Sequence, residues 1–165
     1  MDLVFELLED PAYRHILSNH LPVTGLAFAW VVLVWGTVEG RWRSVCFGLS
    51  LVLMTSASAV FVMETGDDAY PAVYDMLDGT GRAWLDHHTL LADQWGRVLI
   101  ANGVISAAAI GLGGWRESWR RPVAIGVLAT TLASLFAAVA IAEAGGKIRH
   151  PEFRFSDPPI SDTHP

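Results

Sequence analysis

The chain reads as an all-α membrane protein, a four-helix up-down bundle, and three observations predict this. Its 165 residues are 52% hydrophobic, with a positive mean hydropathy. The apolar residues gather into four runs, each near the ~20 residues that carry a helix across ~30 Å of hydrocarbon. Two short basic, tryptophan-bearing turns and one longer acidic segment join the runs. One domain accounts for this pattern: an interfacial N-terminal segment over 1–19, a transmembrane bundle over 20–150 and an extended tail over 151–165.

Composition also excludes several classes. Cys46 is the single cysteine, so one chain cannot build a disulfide framework, a cysteine zinc site or an iron-sulfur cluster. A net charge of -6 without a basic stripe argues against nucleic acid as a partner. No nucleophilic triad, phosphate loop or zinc-protease motif is present, which argues against a conventional hydrolase.

Taken in order, residues 1–19 alternate Leu3, Phe5, Leu7 and Leu8 with Asp2, Glu6, Glu9 and Asp10. That pattern predicts a short interfacial helix broken near Pro11. No positive n-region precedes a short apolar core, so the first run is expected to stay as an anchor. Leu21–Val38 is span one, with Pro22 in its first turn, where a missing N–H costs little. A basic turn, Glu39 to Arg43, leads into span two, Ser44–Met63, which ends at Glu64-Thr65-Gly66. Residues 67 to 86 carry five aspartates and read as a surface segment with at most a turn or two of helix near Pro71–Leu77. Span three opens near His88 and runs to Gly114, and its first turns are polar through Asp93, Gln94 and Arg97. After Trp115 to Arg121, span four covers Pro122–Ala144, with Gly145-Gly146 expected to end it.

Arginine sets the orientation. Arg41 and Arg43 lie in the first turn and Arg116, Arg120 and Arg121 in the last, whereas the middle segment has only Arg82. The positive-inside rule then puts the basic turns in the cytoplasm, with Trp42, Trp115 and Trp119 as interfacial anchors. Both termini face the periplasm of an inner membrane.

In this topology four helix ends meet at the outer face. His20, Glu64, His88 and Glu143 are the polar residues there, and His150 follows the last. Bundles build metal sites from such inward side chains. Counting about 100° per residue, His20 shares a face with Thr24, Ala27, Val31 and Val38, and Glu64 with Val60, Ala57 and Leu53. The face of His88 continues through Trp95, Leu99, Asn102 and Ser106. Asn102 and Ser106 suit a bundle interior better than lipid, which favours His88 over His87 as the inward residue. His15 points opposite His20 and is expected in solvent, as is His164 in the tail. Polar residues at helix ends are also where plain solvated caps belong, although Glu143, in an otherwise apolar stretch, is costly in a membrane unless paired or functional.

Asn19-His20-Leu21-Pro22, Glu64-Thr65-Gly66, His88 and above all Gly145-Gly146-Lys147-Ile148-Arg149-His150-Pro151-Glu152 resemble a bacterial family of small four-helix inner-membrane proteins without established activity. Its members share an N-H-x-P start, an A-E pair after span two, an H-E-x-A-A start to span three and a G-G-x-I-R-H-P-E end. Here Met63 stands where the family has alanine, and Thr89 where it has glutamate. The resemblance implies that His20, Glu64, His88, His150 and Glu152 belong together, with Glu143 a local addition. It implies no reaction.

Three functions follow. The first is a metal site with His20, His88 and His150 as nitrogen ligands and Glu64 as an oxygen ligand, suited to zinc, iron, manganese or copper(II). Glu152 would orient a ligand histidine, and Arg149 would hold Glu64 or Glu152 in place. The second is a haem b electron-transfer protein with two histidines as axial ligands and room for the macrocycle beside Gly25 and Gly96. The third is an accessory subunit of a respiratory or photosynthetic membrane complex, with Asp93 and Arg97 paired or facing another subunit. The lipid bilayer is the partner common to all three.

Overall fold

The computed structural model describes residues 7–159. The residues 1–6 and 160–165 lie outside it, and with them half of the acidic N-terminal pattern and His164. Every regular element described is helical: α1 (Pro11–Ser18), α2 (His20–Glu39), α3 (Trp42–Asp75), α4 (Gly79–Trp115), a 3₁₀ turn (Glu117–Trp119), α5 (Arg120–Arg149) and a 3₁₀ turn (Pro151–Phe153). Four helices are long and apolar enough to cross a membrane. Large apolar side chains stand exposed around them, among them Phe28, Val31, Phe47, Met54, Val104 and Phe136. A belt of that size on a single chain needs lipid to cover it, and the protein is an integral, multi-pass membrane protein.

The helices form a ring. α2 packs on α3 and α5, and α4 packs on the other sides of the same two helices, so α2 faces α4 across the bundle. Close approach is built from small residues: a Cβ on Gly48 would lie 2.7 Å from the Leu33 Cα. Gly40, at φ 74°, makes the left-handed turn that closes α2.

The inward stripes repeat every seven residues, the period that keeps a seam facing its neighbour in near-parallel helices. They run through Pro22, Ala29 and Gly36 on α2 and through Val45, Val52 and Ala59 on α3. On α4 and α5 they pass through Leu99, Ser106 and Gly113 and through Ala124, Thr131 and Ala138. At mid-bundle the stripes meet in a polar knot. Asn102 Nδ2 donates to Ser56 Oγ and Thr131 Oγ1, both at 3.3 Å, and Asn102 Oδ1 accepts from Thr130 Oγ1 at 2.8 Å. Ser106 Oγ donates to the Leu49 carbonyl at 2.8 Å. Every partner away from water is another helix, so the knot fixes the rotation of three helices at once.

Several boundaries differ from the sequence expectation. The helix break expected near Pro11 falls at Asp10, between helical residues 7–9 and α1, and Asp10 Oδ1 caps α1 by accepting from the Ala12 and Tyr13 amides at 2.7 and 3.2 Å. Asn19 keeps a helical backbone between α1 and α2, so the first rod starts well before Leu21. Residues 67 to 86, read as a surface segment, are helical apart from the turn over 76–78. α3 continues through an exposed Pro71 to Asp75, and α4 begins at Gly79, capped by Asp78. Trp84, Leu85 and Ile148 form a second small core there, with Tyr70, Val73, Tyr74 and Leu77 packed against it. The Tyr70 hydroxyl donates to Asp86 across this hairpin.

Gly145-Gly146 does not end the last helix, which runs on to Arg149. Its final carbonyls are satisfied instead by Arg154, which donates to Lys147 O at 2.7 Å and Ile148 O at 2.8 Å. At the basic end Trp115 and Trp119 are exposed, as interfacial anchors would be. Trp42 is half-buried, its ring packed against Gly113 and beneath Arg120.

Candidate histidine site at the cavity end of the bundle

A largely apolar cavity of about 570 Å³ opens between the helices at the end away from the basic turns, within the size range of small-molecule and cofactor sites. Four histidines line it, His20 and His150 exposed at its mouth and His15 of α1 and His88 of α4 half-buried deeper in. The ring centres of His15 and His88 are 6.2 Å apart and their planes 80° to one another.

Both rings are held in the same way. His15 Nδ1 lies 3.0 Å from the Val62 carbonyl on α3, and His88 Nδ1 lies 2.9 Å from the Ile141 carbonyl on α5. A carbonyl only accepts, so each Nδ1 carries the proton. In the neutral ring, Nε2 then keeps its lone pair. One turn beyond each carbonyl stands a glycine. A Cβ on Gly66 would come 3.0 Å from His15 Cε1, and one on Gly145 would come 3.1 Å from His88 Cε1, with Nε2 farther off at 3.9 and 3.8 Å. The glycines thus seat the Cε1–Nδ1 edge of each ring and leave Nε2 turned away. The sequence beneath is a repeat: Val62-Met63-Glu64-Thr65-Gly66 and Ile141-Ala142-Glu143-Ala144-Gly145 share the pattern aliphatic-x-Glu-x-Gly. Each half of the bundle therefore supplies one histidine and the clip that holds it.

Of the sequence-predicted residues, His20, His88, Arg149 and His150 line this cavity, whereas Glu64, Glu143 and Glu152 do not. His88 does point inward, as Asn102 and Ser106 on its stripe require, but Trp95 is exposed and Gly96 takes its place. His20 is exposed at the cavity mouth, its Nδ1 3.3 Å from the Ile16 carbonyl of the same rod. The face assigned to it, through Thr24, Val31 and Val38, is exposed. His15, expected in solvent, is half-buried against α3 and lines the cavity.

Glu64 shares the exposed stripe of Val60 and Ala57 and does not line the cavity. Glu143 is exposed as well and pairs with Lys147 at 2.8 Å, one turn on, which answers its cost near the membrane. His150 is exposed at the mouth, with Nδ1 2.9 Å from Glu152 Oε1. Glu152 thus orients a histidine, though not an inward one. Its carboxyl is held below its ordinary range, first by its own backbone N–H and then by His150. Arg149 lines the mouth without bonding Glu64 or Glu152.

Asp93 and Arg97 are both exposed and make no ion pair with each other. Gly25 serves packing, since a Cβ there would strike Thr55 at 2.5 Å, whereas Gly96 lines the cavity against Met63. Among the described residues no group of three or more histidines, cysteines, aspartates or glutamates is placed to hold a metal ion. Of the expected set, His20, His88 and His150 share the cavity and Glu64 stands outside it.

His15 was legible through two signals. It lies seven residues before Pro22 on the heptad stripe, and the repeated aliphatic-x-Glu-x-Gly motif marks its clip. No family model matches the chain, and no curated protein or solved structure shows significant similarity to it.

Proposed function

We propose that the chain is a b-type haem protein of the membrane, holding haem between His15 and His88 and passing single electrons. The observation that carries this reading is the neighbouring pair of Nδ1-anchored imidazoles, edge to face at 6.2 Å between ring centres. With metal–nitrogen bonds of ~2 Å, two imidazoles at this separation would be close enough to hold one iron. A backbone carbonyl on the other nitrogen is the support that ligand histidines commonly receive. The apolar cavity around them suits a large, flat, mostly hydrocarbon group.

A bare zinc, manganese or copper ion is served less well, because protein sites for such ions draw three or four ligands from the chain and no such group of three is placed to hold one among the described residues. Haem brings four nitrogens of its own and asks the protein for two. His15 and His88 would hold the haem, which would supply one-electron redox chemistry at its iron.

The same reading includes the orientation. Arg41, Arg43, Arg116, Arg120 and Arg121 gather at one end, so that end faces the cytoplasm and the haem lies toward the periplasmic side of the inner membrane. The test is the visible spectrum of the protein purified in mild detergent from haem-replete cells. A Soret band with split, sharp reduced-state bands supports the reading. A colourless protein that takes up no added haem overturns it, and co-purification of a colourless chain with a larger complex would favour the accessory-subunit alternative.

A further inference from the structure

The cavity mouth is polarised. On one side α2 begins with Asn19 and His20 beside the end of α5, which carries Arg149 and His150, and these two helices pack together. On the other side Asp67 of α3 and Asp93 of α4 also line the cavity. Of the cations at the end of α5, Lys147 pairs with Glu143 and sits over the Trp84 ring at 4.7 Å. Arg154 is spent on the two terminal carbonyls of the helix. Arg149 has no partner among the described residues, although it stands at the rim. His150 beside it is fixed by Glu152 through Nδ1 and by stacking on Phe153 at 4.9 Å, which leaves its Nε2 uncommitted.

We infer that Arg149, with His150 beside it, forms a carboxylate clamp at the rim of the cavity and grips the propionates of the haem. The inference rests on the haem reading and adds to it which edge of the ligand faces the mouth and which residues recognise it. An amphiphile with an apolar body and two carboxylates matches an apolar cavity with a guanidinium at its lip, because a guanidinium binds carboxylate through paired, charge-assisted hydrogen bonds. Asp67 and Asp93 disfavour the same carboxylates on the opposite side, so the polarity of the mouth selects one ligand orientation. His20 and His150, ligands in the sequence reading, become rim residues, and the Arg149-His150 pair gains a role that needs no metal bond.

The experiment compares haem b with its dimethyl ester, which keeps the iron and macrocycle and lacks the two negative charges. Apo-protein prepared in detergent is titrated with each, and the low-spin spectrum reports binding. The wild type is expected to prefer haem b by about tenfold, the worth of one charge-assisted hydrogen bond at a wet rim. Arg149→Ala should remove most of that preference by weakening haem b alone, and Arg149→Lys should restore part of it. Equal binding of haem and ester by the wild type, or a preference retained in Arg149→Ala, overturns the clamp. If neither compound gives a low-spin spectrum in the wild type, the haem reading itself has failed.

Discussion

His15 and His88 meet at ring centres 6.2 Å apart although they lie on different helices and 73 positions apart in the chain. Each is oriented by a helix other than its own, His15 by Val62 and Gly66 of α3 and His88 by Ile141 and Gly145 of α5. The site is therefore a product of the closed ring of helices, and no single hairpin contains it.

The glycine seats give the first prediction. In Gly66→Ala or Gly145→Ala the new Cβ would press on an imidazole at about 3.0 to 3.1 Å, so the ring must shift. Alanine is the better helix former by roughly 0.5–1 kcal/mol, and the helix itself should not weaken. The expected outcome is at least a tenfold loss of haem affinity with no fall in unfolding stability in detergent. Unchanged affinity in both variants would mean that the ring edges are not seated as described.

Asn102 supplies the second. It is buried and bonds α4 to Ser56 on α3 and to Thr130 and Thr131 on α5. Asn102→Ala removes these contacts, but the freed hydroxyls can turn to their own helix carbonyls, as Thr130 already does toward Val127. Inter-helix hydrogen bonds in membranes average under 1 kcal/mol each, so a loss of about 1–2 kcal/mol is expected in a detergent-to-denaturant titration. Haem affinity should change by less than threefold. A larger effect on binding than on stability would place Asn102 in the site instead of the scaffold.

The bundle was legible because its signals are compositional and periodic. Four apolar runs and two arginine-tryptophan turns survive any error in helix phase. The site was legible only in part, because a ligand assignment depends on phase. His20 and Glu64 sit at helix ends with the right chemistry, yet each shares an exposed stripe with its neighbours. The heptad stripe through Pro22, Ala29 and Gly36 leads back to His15 instead. The extension of α3 and α4 was hidden by Asp67, Asp68 and Asp75. These aspartates are exposed on one side of a helix whose other side buries Ala69 and packs Tyr70 and Val73 inward.

Orientation gives the third prediction. Alkaline phosphatase fused after Pro165 should be active, because that enzyme folds only outside the cytoplasm, and the same reporter inserted at Gly40 should be inactive. The reverse pattern would move the haem edge to the cytoplasmic side and leave the bis-histidine site itself untouched.

The central claim is that His15 and His88 together are the ligands, and the most direct test is the haem spectrum of single histidine variants with and without added imidazole. His15→Ala and His88→Ala should each lose the low-spin spectrum and regain it when free imidazole enters the vacated position. His20→Ala and His87→Ala should keep the wild-type spectrum throughout. A low-spin spectrum that survives His15→Ala without imidazole, or that disappears in His20→Ala, would contradict the account.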